Sequence, residues 1–252
     1  MNKTLFTVLI LAGLFLAGCN LKEEYTRTIE MPLPISDVQK LIVHTDVGSI
    51  IVDESNAPQP KFKAEVTGKG DTIEKAQRVA EAINIEIENK DNGDVCLVIK
   101  KPVEIKSNWY AVNYTIQVPA NVKLECKTDV GNISIKNIKG DIVASCDVGN
   151  INCANVSGKL DLRTDVGNIN TDYTPTAGIT DATLSADVGS IHFKGPENMS
   201  AKIDASTDVG KINSAQPGVK KKDCCQESFT GTTGRGEGNI KLRTDVGSIN
   251  IK

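Results

Sequence analysis

The chain alternates apolar and polar residues around a phrase that it repeats seven times. Aligned on the Asp of TDVGSI (45–50), the repeats place Asp46, Asp129, Asp147, Asp165, Asp187, Asp208 and Asp245 in one column. Five residues earlier stand Leu41, Leu124, Ile142, Leu160, Ala182, Ile203 and Ile240; three earlier stand Val43, Cys126, Ala144, Leu162, Leu184, Ala205 and Leu242. The residues between are mostly polar, among them Glu125, Asp161, Asp204 and Lys241. This period of two predicts a strand with one buried face. Four residues after the Asp comes Ile every time, from Ile50 to Ile249, and six after is mostly apolar. Inward positions are therefore odd offsets before the Asp and even offsets after it. A parity change of that kind needs a bend or bulge. The Val-Gly pair is the expected source, because Gly takes positive φ without steric penalty. The glycines concerned are Gly48, Gly131, Gly149, Gly167, Gly189, Gly210 and Gly247. Each unit reads as strand, corner, strand and second turn, the last seen in NIKGD (137–141) and NVSGK (155–159).

After a first gap of 83 residues, the Asp-to-Asp steps are 18, 18, 22, 21 and 37. A self-similar period near ~20 points to a solenoid. Two architectures fit: a β-solenoid of coils stacked about 4.8 Å apart, or an antiparallel meander closing into a sandwich or barrel. We favour the solenoid, because stacked coils explain why the same Val and Ile recur beside each turn. The expected class is mainly β, with ~18–22-residue coils.

The repeated Asp has two readings. As a structural residue, its carboxylate accepts a hydrogen bond from the backbone N–H two residues on, an Asx-turn. In this picture Asp ties the corner amides, Val and Ile fill the core, and Gly makes the bend. Alternatively the column binds calcium, since carboxylates about 5 Å apart repel by roughly 1 kcal/mol even in water. The Gly-rich nonapeptide of calcium-binding solenoids is missing, and each corner has one Asp, so the structural reading is preferred.

The long gap contains strands at KFKAEVTG (61–68) and DVCLVIKK (94–101), with DTIEKAQRVAEAI (71–83) between them. Ile73, Ala76, Ala80 and Ile83 form one stripe, and Asp71 is a candidate cap with Glu74 three residues on. An amphipathic helix results, suited to shielding an edge or end of the array. NYTIQVPANVKLEC (113–126) then leads into the repeats. The long last step is filled by QPGVKKKDCCQESFTGTTGRGEG (216–238). Its Lys220–Lys222 run reads as a solvated loop and GTTGRGEG as a flexible lead into the last coil, for it lacks the G-K-[ST] ending of a phosphate loop. The only aromatic cluster is SNWYAVNY, with Trp109, Tyr110 and Tyr114, which either touches a partner or packs on the helix.

The first twenty residues change the cellular picture. Lys3 precedes an apolar run from Leu5 to Ala17, ending in Leu16-Ala17-Gly18-Cys19. The run has signal-peptide length rather than transmembrane length. Its end resembles a bacterial lipobox, which implies removal of residues 1–18 and lipidation (palmitate) of Cys19. Asn20 rather than Asp follows, which favours the outer membrane if the organism has two. Residues 19–39 are the expected anchor and linker, and 40–252 one domain, with 51–120 an insertion or cap and 121–252 the array. A net charge of −3 offers no basic field for nucleic acid. The other cysteines, Cys96, Cys126, Cys146, Cys153, Cys224 and Cys225, lack the spacing of a disulfide framework or zinc site.

Catalytic residues are scarce. His44 and His192 occupy outward positions, and no Cys has an evident His partner. Cys126, Cys146 and Cys153 fall in inward columns and read as core. The one enzyme reading is a polysaccharide-cleaving solenoid using Asp161, Arg163, Asp204 and Arg243 on an outer face, a pattern that ordinary surface charge also produces. No catalytic residue, metal or cofactor is expected.

Together, L-x-V-x-T-D-V-G-S-I at the start, YTIQVPANV before the array and GEGNIKLRTDVGSINI at its close resemble the bacterial putative-adhesin β-strand-repeat family, also called toastrack-like. The resemblance covers roughly 40–252. It implies a right-handed β-solenoid in a cell-envelope protein, and supplies no catalytic residues. The expected function is a lipid-anchored, non-enzymatic binding or scaffolding module for an envelope glycan or protein. The alternatives are the solenoid enzyme and an envelope-stress signalling component.

Overall fold

The computed structural model describes residues 22–35, 39–55, 59–174, 181–224 and 226–252. The chain runs β1 (Glu23–Pro32), β2 (Lys40–Val47), β3 (Ile50–Glu54), β4 (Lys61–Gly70), α1 (Ile73–Ala82), β5 (Asn84–Asn89), β6 (Val95–Lys100) and β7 (Tyr110–Val118). Motif-bearing pairs follow: β8 (Lys123–Val130) with β9 (Ile133–Lys136), β10 (Ile142–Val148) with β11 (Ile151–Val156), and β12 (Leu160–Val166) with β13 (Ile169–Tyr173). Next come β14 (Ala182–Val188) with β15 (Ile191–Lys194), and β16 (Ala201–Val209) with β17 (Ile212–Ser214). After β18 (Gly218–Lys222) and β19 (Glu227–Thr233), the chain closes with β20 (Gly238–Val246) and β21 (Ile249–Ile251).

These strands form two open sheets. The first has 11 strands in the order β18-β19-β16-β20-β14-β12-β10-β8-β2-β6-β5, and the second has 10, in the order β1-β4-β7-β3-β9-β11-β13-β15-β21-β17. Each motif crosses from the first sheet to the second. Equivalent residues pair in parallel register: Leu124 with Ile142, Cys126 with Ala144, Ile133 with Ile151. Like therefore packs on like, and the two inward faces meet in one core.

Spatial order departs from chain order at both ends. The Asp245 unit, β20 and β21, sits between the Asp187 and Asp208 units. The Asp46 unit sits between the Asp129 unit and a motif-free pair, β6 and β7, supplied by the long gap. Part of the gap thus joins the array, although it carries no Asp-Val-Gly. The long last step also proves structured. Its residues form β18 and β19, antiparallel to each other and to β16, so Lys220–Lys222 lie on a fully exposed edge strand rather than in a loop. Lysines on an edge discourage pairing with another chain.

Helix α1 begins at Thr72, whose hydroxyl accepts from the Lys75 N–H at 3.3 Å; Asp71, the expected cap, pairs instead with the Lys75 ammonium. Ile73 is largely exposed, and Ala76, Ala80 and Ile83 are the residues that bury. Their small size brings the helix close to β4: a Cβ on Gly68 would lie 2.2 Å from the Ala76 carbonyl oxygen. Arg27 of β1 donates to the Ala80 and Ile83 carbonyls at the helix C-terminus, where a cation is favoured. No helix of the described residues is long and apolar enough to cross a membrane.

Candidate functional site

The corners come first, since they hold the repeated Asp. The parallel ladder pairs Cys146 with Thr164 and Val148 with Val166 but skips Asp147 and Asp165. Asp and Val are consecutive and both point outward, which is a bulge. After it, alternation resumes with Gly inward, Asn or Ser outward and Ile inward. The parity switch therefore lies between Asp and Val, not at Val-Gly. The expectation that Val fills the core fails accordingly: Val130, Val148, Val166, Val188 and Val246 are 47–50% exposed and Val209 57%.

The Asx-turn expectation fails as well. Each corner Gly N–H is taken by a neighbouring unit, as in Gly149 N–H to the Val166 carbonyl at 2.9 Å. Two other columns hold the corners. The residue after Gly forms a ladder in which the Asn150 N–H donates to Asn132 Oδ1 and the Asn168 N–H to Asn150 Oδ1, both at 2.9 Å. The buried residue before the Asp forms another: the hydroxyls of Thr128, Thr164, Thr207 and Thr244 donate to Gly carbonyls of the adjoining unit at 2.8–3.0 Å. Sequence reading missed both, although the Thr column stands at an odd, inward offset.

The Asp carboxylates face solvent and find varied partners. Arg163 bridges Asp165 and Asp187, Arg243 pairs with Asp245, and Gln226 donates to Asp208. At the motif-free end, Tyr110 donates its hydroxyl to Asp46 at 2.8 Å. Burial, then this hydrogen bond, raises the Tyr110 pKa. Among the described residues, no group of three His, Cys, Asp or Glu is placed to hold a metal.

The remaining candidates disperse. Asp161 on β12 and Asp204 on β16 are three strands apart, about 14 Å at ordinary strand spacing. That exceeds the separation of paired glycosidase carboxyls, about 5–9.5 Å. His44 faces Glu125, which is also paired with Lys40; that ammonium holds the Glu125 carboxyl below its usual range. Cys96, Cys126, Cys146 and Cys153 are buried, and burial pushes the Cys126 thiol up to about 12. Tyr110 and Tyr114 are buried, Tyr114 tilted against Phe62, while Trp109 is 38% exposed. Cys19 and Cys225 lie outside the described residues.

What the structure does bring together is a row of amides on the outer face of the second sheet. Asn170 donates to Asn152 Oδ1 at 2.8 Å, His192 meets Asn250 at 3.2 Å, and Asn213 donates to Asn250 Oδ1 at 3.0 Å. Beside this row Ala154 is small, and Asp172 and Lys194 pair at 3.0 Å. A groove of about 320 Å³ runs between the two rows, lined among others by Asn152, Asn170, His192, Asn250 and Lys252. Such a surface offers many polar contacts and no reactive group. His192 was foreseen as outward-facing; the amide row was not, because it exists only once the units are stacked.

A family model described as Toastrack DUF4097 matches residues 25–252. A solved structure of a putative cell adhesion protein from Clostridium sporogenes is 18% identical, with TM-score 0.43, covering 92% of this chain and 99% of its own. One of a putative adhesin from Bacteroides fragilis is 17% identical, with TM-score 0.36, covering 90% and 97%. A search of the curated proteins finds no significant match.

Proposed function

Because the chain belongs to the Toastrack DUF4097 family, we propose that it is a lipid-anchored, non-enzymatic binding or scaffolding module of the cell envelope. The array is read as a right-handed β-solenoid; its in-register parallel pairing, Ile142 on Leu124 and Ile151 on Ile133, supports the stacked reading. Cys19 carries the lipid and tethers the domain to the membrane, the outer one in a two-membrane organism. The observation that carries the binding function is the groove beside the Asn152–Asn170 and His192–Asn250 row. Its amides and hydroxyls suit the polar surface of an envelope glycan or a protein partner. The adhesin-like descriptions of the similar structures agree with a surface role.

Replacing Asn170 and His192 together by Ala tests this reading. We expect at least about a tenfold loss of binding to cell-wall glycan or surface protein, since each lost hydrogen bond contributes ~0.5–1.5 kcal/mol. Unchanged binding in the folded variant sinks the groove as the contact site. Palmitate labelling that persists in Cys19→Ser sinks the anchor. Depolymerisation of a uronate-rich glycan that disappears with Asp161→Asn would replace the binding module by an enzyme.

A further inference from the structure

A second concavity lies away from that groove, at the end of the molecule nearest the proposed anchor. It measures about 390 Å³ and is lined by Lys22, Lys69, Gly70, Asp71, Lys75, Arg78, Val79 and Trp109. Four cations therefore face one carboxylate, on a chain whose net charge is −3. Lys75 is paired with Asp71, and Lys69 with Glu24 just outside the cavity. Lys22 and Arg78 have no ion-pair partner among the described residues, though Glu74 lies one turn before Arg78 on the helix. Trp109 is the chain's only Trp and stays 38% exposed when its neighbours Tyr110 and Tyr114 are buried. In the loop just before it, Val103 is 96% exposed.

The position of this patch decides what would occupy it. Lys22 stands three residues after Cys19, and three residues span at most about 11 Å. A lipid on Cys19 therefore holds the cavity rim within that distance of the bilayer. Lys and Arg near a membrane are attracted to anionic headgroups, and Trp prefers the membrane–water interface. We propose that this face, Lys22, Lys69, Lys75, Arg78 and Trp109, docks on anionic phospholipid headgroups, so that the domain lies against the membrane in a fixed orientation rather than swinging on its tether. The proposal rests on the reading of Cys19 as the anchor.

Trp109 is its own reporter. The mature lipoprotein would be reconstituted into phosphatidylglycerol-containing vesicles and into phosphatidylcholine vesicles, and its emission recorded with and without brominated lipid. The expected result is a blue-shifted Trp109 quenched by brominated lipid in the anionic vesicles only, reversed by salt. Replacing Lys22 and Arg78 by Ala should weaken this docking roughly tenfold or more, while the protein still sediments with vesicles through its lipid. The same double replacement at Lys139 and Lys211, exposed residues elsewhere, should change nothing. Identical Trp109 emission in both vesicle types, with the protein anchored, overturns the proposal and leaves Cys19 standing. If Cys19 bears no lipid, the anchor fails separately. Vesicles added to the unlipidated chain then decide: a shift in phosphatidylglycerol alone upholds the patch, and no shift, or one that survives loss of Lys22 and Arg78, overturns it.

Discussion

Gly149 rests directly on Gly131: a Cβ on Gly149 would lie 1.8 Å from the Gly131 carbonyl oxygen. The same contact recurs from Gly131 on Gly48 to Gly210 on Gly247, at 1.7–2.0 Å. Gly at the corner is thus needed for stacking as well as for its positive φ, which is 150° at Gly149. Gly149→Ala should cost about 4 kcal/mol or more, the range of backbone-level disruption. Gly93→Ala is the control. It also has positive φ, but its nearest neighbour is 3.9 Å away, so about 1 kcal/mol is expected. Urea unfolding of both variants checks the difference; equal losses would leave φ alone as the explanation.

The buried Thr column has a gap that can be filled. Ala186 pairs in register with Thr164 on one side and Thr244 on the other. By analogy with Thr244, whose hydroxyl donates to the Gly189 carbonyl at 2.8 Å, Ala186→Thr should reach the Gly167 carbonyl. A stabilisation of about 1 kcal/mol is expected. A fall in denaturation midpoint would mean that the column has no room there, and that Ala is present for packing.

Tyr114 carries a cost of the opposite kind. Its hydroxyl is buried without a hydrogen-bond partner, and burial raises its pKa. Tyr114→Phe removes that oxygen and keeps the ring against Phe62. The variant should be as stable as the parent or up to about 1–2 kcal/mol more so. Calorimetry showing a marked loss would reveal that the hydroxyl is satisfied in solution.

Acid should act at Glu227. This buried carboxylate is paired with Lys220 and accepts the Ile212 N–H at 2.8 Å. The Lys220 ammonium, above all, holds its carboxyl below the usual range. Its contribution is present above the unfolded-state value, about 4.3, and is lost as pH falls through the lower folded value. Melting temperature should drop below about pH 4, and Glu227→Gln should flatten that limb while lowering stability at neutral pH. An unaltered acid limb in the variant assigns it to other carboxylates.

How much of this could be read from residues alone depends on whether a feature is local to one unit. The Leu162 and Ile169 columns were legible, because burial alternation is written along a single strand. The contact of Gly149 with Gly131 was not, since it needs the neighbour in place. Val166 was misread because the bulge at Asp165 shifts parity one residue early, and only the ladder shows where the register slips. Thr164 looked like an ordinary polar residue until its carbonyl partner appeared one unit away. Which units adjoin was invisible, because near-identical repeats such as those at Asp187 and Asp208 are equally good partners for the Asp245 unit.

That placement has a consequence for how the protein is made. β21 is hydrogen-bonded on both sides, to β15 and β17, and β20 likewise to β14 and β16. The last strands to leave the ribosome are therefore an internal course of the wall. Until they arrive, the Asp187 and Asp208 units have no contact through which to pack. A chain broken off before Gly238 would forfeit the junction of its C-terminal end, not merely its outermost layer. In an ordinary repeat array a lost terminal repeat leaves its neighbours stacked. Here completion of translation is itself a condition of assembly, a built-in proofreading of length.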